Sequence, residues 1–542
     1  MNSKQTTLLA LTSAFLMWLA WPPIPYGTPI LLIGLVPLFI AISGINQNNI
    51  KKKGKRIFLT AGLTFLIWNT SCIYWVYNAI SAVNDPVPAA LVSLIPFCLG
   101  ALLMTFALWL YYKLSCVAGK WLSYTGLISF YVAMEYLHQT WDLAFPWMTL
   151  GNGLSGMHQL AQWYQYTGVY GGSVWILLSN ILAFEVYKAI KERSAKKIIP
   201  VTTWIAVVAI PAIISVVMYS SYREKSVPVN VVVVQPNINP YEKFGGNSSL
   251  GQVNILTALS DSIGQPNTEY FIWPETAIPQ YVEESQIRSN AEYTMAQSFL
   301  SKYKNGTLIT GIESIKLYAT KETASARPTP NGGFLDNFNS AVQIENSANV
   351  QFYHKSKLVP GVEKMPFPSL LSVLNPLFEG FGGTIGGWGW QDEPGVFYAY
   401  SGIGAAPVVC YESLWGSWVG RAVKNGAQFI AIITNDGWWG NTSGKDQHLL
   451  YAKLRAIETR RYVVRSANTG ISAFINQRGD ITQQSEWWTR IALKSDINLN
   501  DEITFYVNHG DYVAIGLSFI GVLLALIIPY HKFFVKKTIK AN

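Results

Sequence analysis

The stretch AAPVVCYESLWG, Ala405–Gly416, ends an apolar run on a single cysteine. Ala405 to Val409 carries no charge and reads as a buried strand. Cys410 stands at the end of that strand, followed by Tyr411 and Glu412. Two readings compete. A thiol after two valines packs as a small hydrophobe. A thiol at a strand end, with acid–base groups in reach, is a nucleophile of a layered α/β protein. The chain has four cysteines, and Cys72, Cys98 and Cys116 lie in or beside apolar spans. Cys410 has no thiol to pair with in its own segment, so no disulfide framework is present.

Around this stretch lies a chain of 542 residues, 50% hydrophobic and 13% charged. Soluble proteins average roughly 25% charged residues. The 20 Trp, 29 Tyr and 25 Phe point the same way, to a membrane protein. Apolar spans run at about 7–21, 28–45, 57–79, 88–112, 121–138, 168–187, 199–219 and 511–530, most of them near the ~20 residues a crossing requires. No small-x-small site follows the first, and Lys4 is its only basic flank, so it reads as a span rather than a cleaved signal.

Basic residues set the orientation. Seventeen Lys and Arg lie on one side, in the N-terminus, the loops 51–56, 113–120 and 188–197, and the C-terminal tail. The opposite loops, about 22–27, 80–87 and 139–167, carry none. The basic side is cytoplasmic. Both termini are then inside, and residues 222–508 are outside, in a bacterium on the periplasmic side of the inner membrane. The domains expected are a seven-helix membrane part (1–221), an outer domain (222–508), a closing span (509–530) and a basic tail (531–542). The net charge of +9 follows this topology rather than a nucleic-acid footprint.

The outer segment alternates strand-like runs with polar helical stretches. The runs are 229–234, 270–273, 307–310, 429–433 and 471–475, and the helical stretches include 287–302 and 445–461. That alternation predicts a layered α/β domain. Residues 380–390, GFGGTIGGWGW, read as a mobile loop with aromatic anchors, a candidate lid at the bilayer interface, the depth tryptophan favours. No repeat or low-complexity tract occurs.

Three residue types in this segment fit one chemistry. Glu275 follows an apolar strand in WPETA, Lys355 lies in FYHKSKLVP, and Cys410 ends its strand. A carboxylate in reach takes the thiol proton. An ammonium lowers the thiol pKa and stabilises an oxyanion, with a backbone N–H such as that of Tyr411 as second donor. Singly, each has a plainer reading: core packing for Cys410, a helix N-cap for Glu275, a solvated strand face for Lys355. Arg455 and Glu458, three apart, read as an intrahelical ion pair. Asn435-Asp436-Gly437 reads as a turn, and His448 as a polar surface residue. The six histidines do not cluster at ligand spacing, so no metal or other cofactor is expected.

Together the motifs resemble a family. Trp273-Pro274-Glu275-Thr276-Ala277, Leu358-Val359-Pro360 with Glu363, Val409-Cys410-Tyr411-Glu412 and Thr434-Asn435-Asp436-Gly437-Trp438-Trp439-Gly440 follow the order and separations of the nitrilase, or carbon–nitrogen hydrolase, superfamily. A further run matches at Arg455, Glu458, Arg461, Arg465, Asn468 and Gly470. Seven spans before such a domain and one after it are similar to the apolipoprotein N-acyltransferase family. The resemblance implies a multi-span α-helical membrane domain with an extracytoplasmic αββα sandwich. By position it implies Glu275 as general base, Lys355 as oxyanion-stabilising lysine and Cys410 as acyl-accepting nucleophile. Glu363 and Glu412 fall at supporting acidic positions, Tyr411 and Trp438 at active-site aromatics. Phe244 stands where the family often has tryptophan. The family commonly has an aromatic residue and glycine between Leu-Val-Pro and the glutamate, whereas this chain has Gly361-Val362 before Glu363.

The same resemblance implies an enzyme with a phospholipid acyl donor, a diacylglyceryl lipoprotein acceptor, the lipid bilayer as partner and no nucleic acid. Two alternatives stay open on the residues alone. One is a membrane-tethered amidase or nitrilase acting on a small amide. The other is a transporter with an external binding domain, against which stand spans nearly free of ionisable residues, Glu135 and Glu185 near span ends excepted.

Overall fold

The computed structural model describes residues 2–48, 51–82, 84–194, 196–243, 248–368 and 387–531. The chain divides into two compact units. One comprises Met1–Tyr74, Ala90–Ser221 and Asp511–Asn542, the other Trp75–Ala89 and Tyr222–Gly510.

The first unit is helical. Among the described residues six helices are long and apolar enough to cross a membrane: Thr28–Gln47, Lys53–Ile73, Pro86–Ser115, Tyr164–Lys191, Ile198–Ser221 and Tyr512–Tyr530. Two further spans read from the sequence are also helices. Ser3–Leu19 has only 17 residues, and Lys120–Thr140 buries a polar face with Ser123, Ser129, Glu135, His138 and Gln139. Thr28–Gln47 is broken between a 3-10 turn, Thr28–Leu32, and the helix Val36–Gln47. Backbone freed within a membrane needs partners from the protein. Asn180 supplies them, with Nδ2 donating to Leu31 O and Oδ1 accepting from Leu35 N, both at 2.7 Å. Glu135 accepts from Leu150 N at 2.7 Å, and Glu185 pairs with Lys120 and Lys188.

The second unit is built on strands. These are β1 (Pro228–Gln235), β2 (Thr268–Ile272), β3 (Ile278–Glu283), β4 (Thr307–Tyr318), β5 (Arg327–Pro328), β6 (Phe334–Glu345) and β7 (Val350–His354). They continue with β8 (Phe397–Tyr398), β9 (Gly404–Val409), β10 (Phe429–Thr434), β11 (Val463–Ala467), β12 (Ala473–Ile475), β13 (Ile481–Gln484) and β14 (Ile491–Asn498). One sheet runs β14-β1-β2-β4-β6-β5, with β3 beside β4 and β7 beside β6. The other runs β13-β12-β11-β10-β9-β8, with β9, β10 and β11 parallel.

Side chains alternate across each strand. Val231 and Val233 of β1 meet Val409, Ala431, Ile433 and Val464 in the core between the sheets. Val232 and Val234 point the other way, onto residues of the helices Ser249–Ile263 and Ala291–Leu300. The second sheet packs its outer face on the helices Gly416–Lys424 and Ser443–Thr459. Strands covered on both faces read as unbroken apolar runs, which is why 229–234 and 429–433 show no alternation in sequence. The result is the helix–sheet–sheet–helix sandwich expected.

One segment departs from the sequence reading. The third span is expected to reach residue 79, but its helix ends at Ile73 and Trp75–Ser81 forms a short helix of the second unit. The Trp75 ring centroid is 4.9 Å from that of Trp439, and Trp75 Nε1 donates to Gln447 Oε1 at 3.2 Å.

Candidate active site

Strand β9 delivers Cys410 into a tight turn. Its φ is +52°, left-handed for a residue with a Cβ, a strain that persists only where surroundings impose it. The turn Cys410–Leu414 is 3-10, and Glu412 ties it down from within. Glu412 is fully buried. Its Oε2 accepts from Val409 N at 2.9 Å. Its Oε1 accepts from Ser356 N at 2.6 Å, Lys357 N at 3.2 Å and Tyr353 Oη at 2.8 Å. Burial lifts the Glu412 carboxyl above the usual carboxylate range, against the pull of these four donors.

Lys355 follows β7, its backbone N–H bonded to Asn339 O at 2.9 Å. Its ammonium lies between two carboxylates, 3.2 Å from Glu275 Oε1 and 2.8 Å from Glu363 Oε1. Asn339 Nδ2 bridges the same two oxygens at 2.9 and 3.2 Å. Glu363 Oε2 accepts from Val359 N at 2.8 Å, so this carboxylate keeps its place beside Lys355 despite the altered residues before it. Burial alone would lower the Lys355 pKa, but Glu275, Glu363 and Cys410 outweigh it and hold the amine well above its ordinary value. The Cys410 thiol is raised by burial and by Glu275, with Lys355 opposing. Both shifts favour the thiol form of Cys410 and the cationic form of Lys355.

The Glu275 backbone is fixed as closely as its side chain. Thr276 is left-handed at φ +50°, and Gly311 N donates to Pro274 O at 3.1 Å. A Cβ on Gly311 would lie 2.3 Å from Thr276 N and 2.6 Å from Glu275 Cα, so only glycine fits. Lys243 Nζ donates to Glu275 O at 2.9 Å. Burial lowers the Lys243 pKa to about 8, and burial raises the nearby Glu313 to about 7.

Behind the Cys410 turn lies a second group, and here one expectation is corrected. His448 is buried, at 1% exposure, not on the surface. Nearly every residue of its helix is covered, so polar composition there does not mark a solvated face. His448 Nε2 lies 2.8 Å from Ser413 Oγ and 3.2 Å from Cys410 O. Its Nδ1 lies 3.0 Å from Asp436 Oδ1. Asp436 sits in the expected turn, and Arg465 Nη2 donates to its Oδ2 at 2.7 Å. Burial opposes ionisation of Asp436, yet Arg465 and His448 hold its carboxyl well below the usual range. Two helical turns past His448, Arg455 forms the expected pair with Glu458, bidentate at 2.7 Å, and also donates to Ser413 O and Leu414 O at 3.0 and 2.9 Å.

The two aromatics named in the sequence reading have aromatic partners of their own. Tyr411 is buried edge-on to Trp415, at 5.0 Å between centroids. Trp438 is half-buried and edge-on to Tyr241 at 5.2 Å. Phe244 and residues 380–386 of the glycine–tryptophan stretch lie outside the described residues. Beyond them, Trp388 N donates to Glu363 O at 3.0 Å and its ring stacks on Tyr281. Sequence reasoning misses Asn339, Lys243 and His448 as site residues. Of the three, His448 alone leaves a signal, its seven-residue spacing from Arg455. Among the described residues, no group of three or more His, Cys, Asp or Glu is placed to hold a metal ion.

Known proteins supply the family. Residues 13–182 match the family model for the apolipoprotein N-acyltransferase N-terminal domain, and residues 231–505 match that for carbon–nitrogen hydrolase. A Chlorobaculum tepidum protein named apolipoprotein N-acyltransferase is 28% identical over 96% of this chain and 96% of its own. One of the same name from Geobacter metallireducens is 25% identical over 94% and 93%. An amidase from Nesterenkonia sp. aligns over 55% of this chain and 98% of its own, at 14% identity and a TM-score of 0.36. With one model spanning the sandwich and the other the helical part before it, the chain belongs to the carbon–nitrogen hydrolase family, in the branch formed by the apolipoprotein N-acyltransferases.

Proposed function

We propose that this protein moves a fatty acyl chain from a membrane phospholipid to the N-terminal amine of a diacylglyceryl-cysteine lipoprotein, by way of a thioester on Cys410. The observation that carries the proposal is the Lys355 ammonium bonded to both Glu275 and Glu363, beside a thiol held in a left-handed turn. In the first half, Glu275 takes the proton from Cys410 Sγ as sulfur bonds to the ester carbonyl carbon. Lys355 balances the negative charge that forms on the carbonyl oxygen, with the Tyr411 N–H as second donor. The ester C–O bond breaks, and the proton on Glu275 passes to the departing lysophospholipid oxygen. In the second half, Glu275 takes a proton from the acceptor amine as its nitrogen attacks the thioester carbon. The C–S bond breaks, an amide forms, and the proton returns to sulfur.

Burial and Glu275 both raise the Cys410 thiol, so attack needs a base in reach to take its proton, and a carboxylate already in place is suited to that. Two lipid substrates also explain a catalytic sandwich carried on membrane-spanning helices. The basic loops support an orientation with that sandwich on the periplasmic side of the bacterial inner membrane and both termini inside.

The test is mass spectrometry of the purified protein mixed with phospholipid and no acceptor. A fatty-acyl mass on the Cys410 peptide, absent in Cys410→Ala and discharged by a diacylated lipopeptide, is the expected result. No adduct in the wild type, with lipid bound, would overturn the proposal in favour of small-amide hydrolysis.

A further inference from the structure

We infer that His448 is a positioning residue of this reaction: by holding the Cys410 carbonyl it aims the Tyr411 N–H at the oxyanion. The inference rests on the acyl-transfer reading above and deepens it. In a trans peptide the carbonyl and the next N–H point in opposite directions. Fixing Cys410 O therefore fixes the direction of Tyr411 N–H. His448 Nε2 lies 3.2 Å from Cys410 O. A carbonyl only accepts, so that contact requires the ring proton on Nε2, with Ser413 Oγ at 2.8 Å sharing the donor.

The other ring nitrogen is held by a buried network. Nδ1 lies 3.0 Å from both Asp436 Oδ1 and Arg465 Nη2, and Arg465 binds Asp436 in turn. Thr434 Oγ1 donates to Asp436 Oδ1 at 3.0 Å, so the network also reaches the end of β10. Trp439 closes the side of the ring, edge-on at 5.3 Å. Arg455, on the same helix, fixes the Ser413 and Leu414 carbonyls. One helix thus holds three carbonyls of the nucleophile turn. The strained φ of Cys410 needs such a restraint, since a left-handed turn with a Cβ otherwise relaxes.

The experiment compares acylation of Cys410 by phospholipid in wild type, His448→Gln, His448→Asn and His448→Leu, each folded by thermal unfolding. Glutamine keeps a donor near the Nε2 position, whereas asparagine is too short to reach and leucine has none. Losing a directed oxyanion donor costs about 100-fold in the chemical step. His448→Leu and His448→Asn should therefore lose about 100-fold in kcat with KM unchanged, and His448→Gln should recover most of that loss. The asparagine variant carries the comparison should leucine not fold.

A second readout separates aiming from general damage. Alkylation of Cys410 by iodoacetamide forms no oxyanion, so its rate on the Cys410 peptide should be the same in all variants. Wild-type acylation in His448→Leu, equal loss in His448→Gln and His448→Leu, or alkylation slowed in parallel with acylation would each overturn the inference. No thioester in the wild type would instead overturn the acyl-transfer reading itself.

Discussion

Glu412 Oε1 accepts the Ser356 backbone N–H at 2.6 Å while its Oε2 accepts that of Val409 at 2.9 Å. Ser356 is the residue after Lys355, and Val409 is the residue before Cys410. One buried carboxylate therefore sets the separation of the two groups proposed to act on the reacting carbonyl, although they come from different sheets.

Glu412→Gln tests this link. The side-chain shape is kept, but one oxygen becomes an NH₂ that cannot accept from an amide. A buried N–H left unpaired costs about 1–3 kcal/mol. Thermal unfolding in detergent should report a loss of that size, and thioester formation should fall together with it. Wild-type stability in Glu412→Gln would show that the carboxylate is not the connector described.

Lys355→Met separates stability from chemistry. Removing the ammonium leaves Glu275 and Glu363 as neighbouring buried carboxylates without their cation. Breaking a buried ion pair this way costs about 3–5 kcal/mol, and losing the cation proposed to stabilise the oxyanion costs about 10²–10³ in rate. Adding Glu363→Gln removes one uncompensated charge. The double variant should regain stability while staying inactive in the thioester assay. Recovery of both together would mean that Lys355 serves the fold alone.

The residues that a single strand and turn bring together are legible in the sequence. Val409-Cys410-Tyr411-Glu412 is one such unit, and the charge-free run before it marks the strand. Glu275 and Lys355 are legible through their motifs, although their distance from Cys410 along the chain gives no geometric warrant. Asn339 is not legible. It lies in FLDNFNSAVQIE, where Asp336, Asn337 and Ser340 are equally polar, and only the fold aims one of them at Glu275. Trp75 is hidden by hydropathy, since the apolar run continues past the helix end and an aromatic residue reads alike in lipid and in a protein core. His448 is misread because a helix carrying Lys445, Asp446, Lys453, Arg455 and Glu458 looks solvated, whereas Arg455 and Glu458 are bonded to each other in the interior and Arg455 also to the Cys410 turn.

Glu313 makes stability depend on pH. Burial raises its pKa from 4.5 to about 7, so the folded state binds a proton more tightly than the unfolded chain does. The stabilisation is fully present below about pH 4.5 and is lost as pH rises through about 7. A shift of this size corresponds to about 3 kcal/mol. The melting temperature should therefore fall between pH 5 and 7, and Glu313→Gln should flatten that segment of the profile. Lys243, lowered to about 8, acts in a separate window, where the unfolded chain binds more protons and stability rises with pH above 8. An unchanged slope in Glu313→Gln between pH 5 and 7 would assign the dependence to another group.

Gly311→Ala probes how firmly the proposed general base is held. The new Cβ would meet backbone atoms, Thr276 N at 2.3 Å and Glu275 Cα at 2.6 Å, and no side-chain rotation relieves such a contact. Strand β4 cannot retreat, because β2 and β6 bond to it on either side. The Glu275 turn must move instead. Overpacking of this kind costs about 1–3 kcal/mol, and a misplacement near 1 Å costs about 100-fold in rate. Thioester formation should fall to the level of Glu275→Gln. Iodoacetamide should still reach Cys410, since the Cys410 turn belongs to the other sheet. If Gly311→Ala forms the thioester at the wild-type rate, the glycine contact does not position Glu275. If the thiol also becomes inaccessible, the substitution has disturbed the sandwich rather than the base alone.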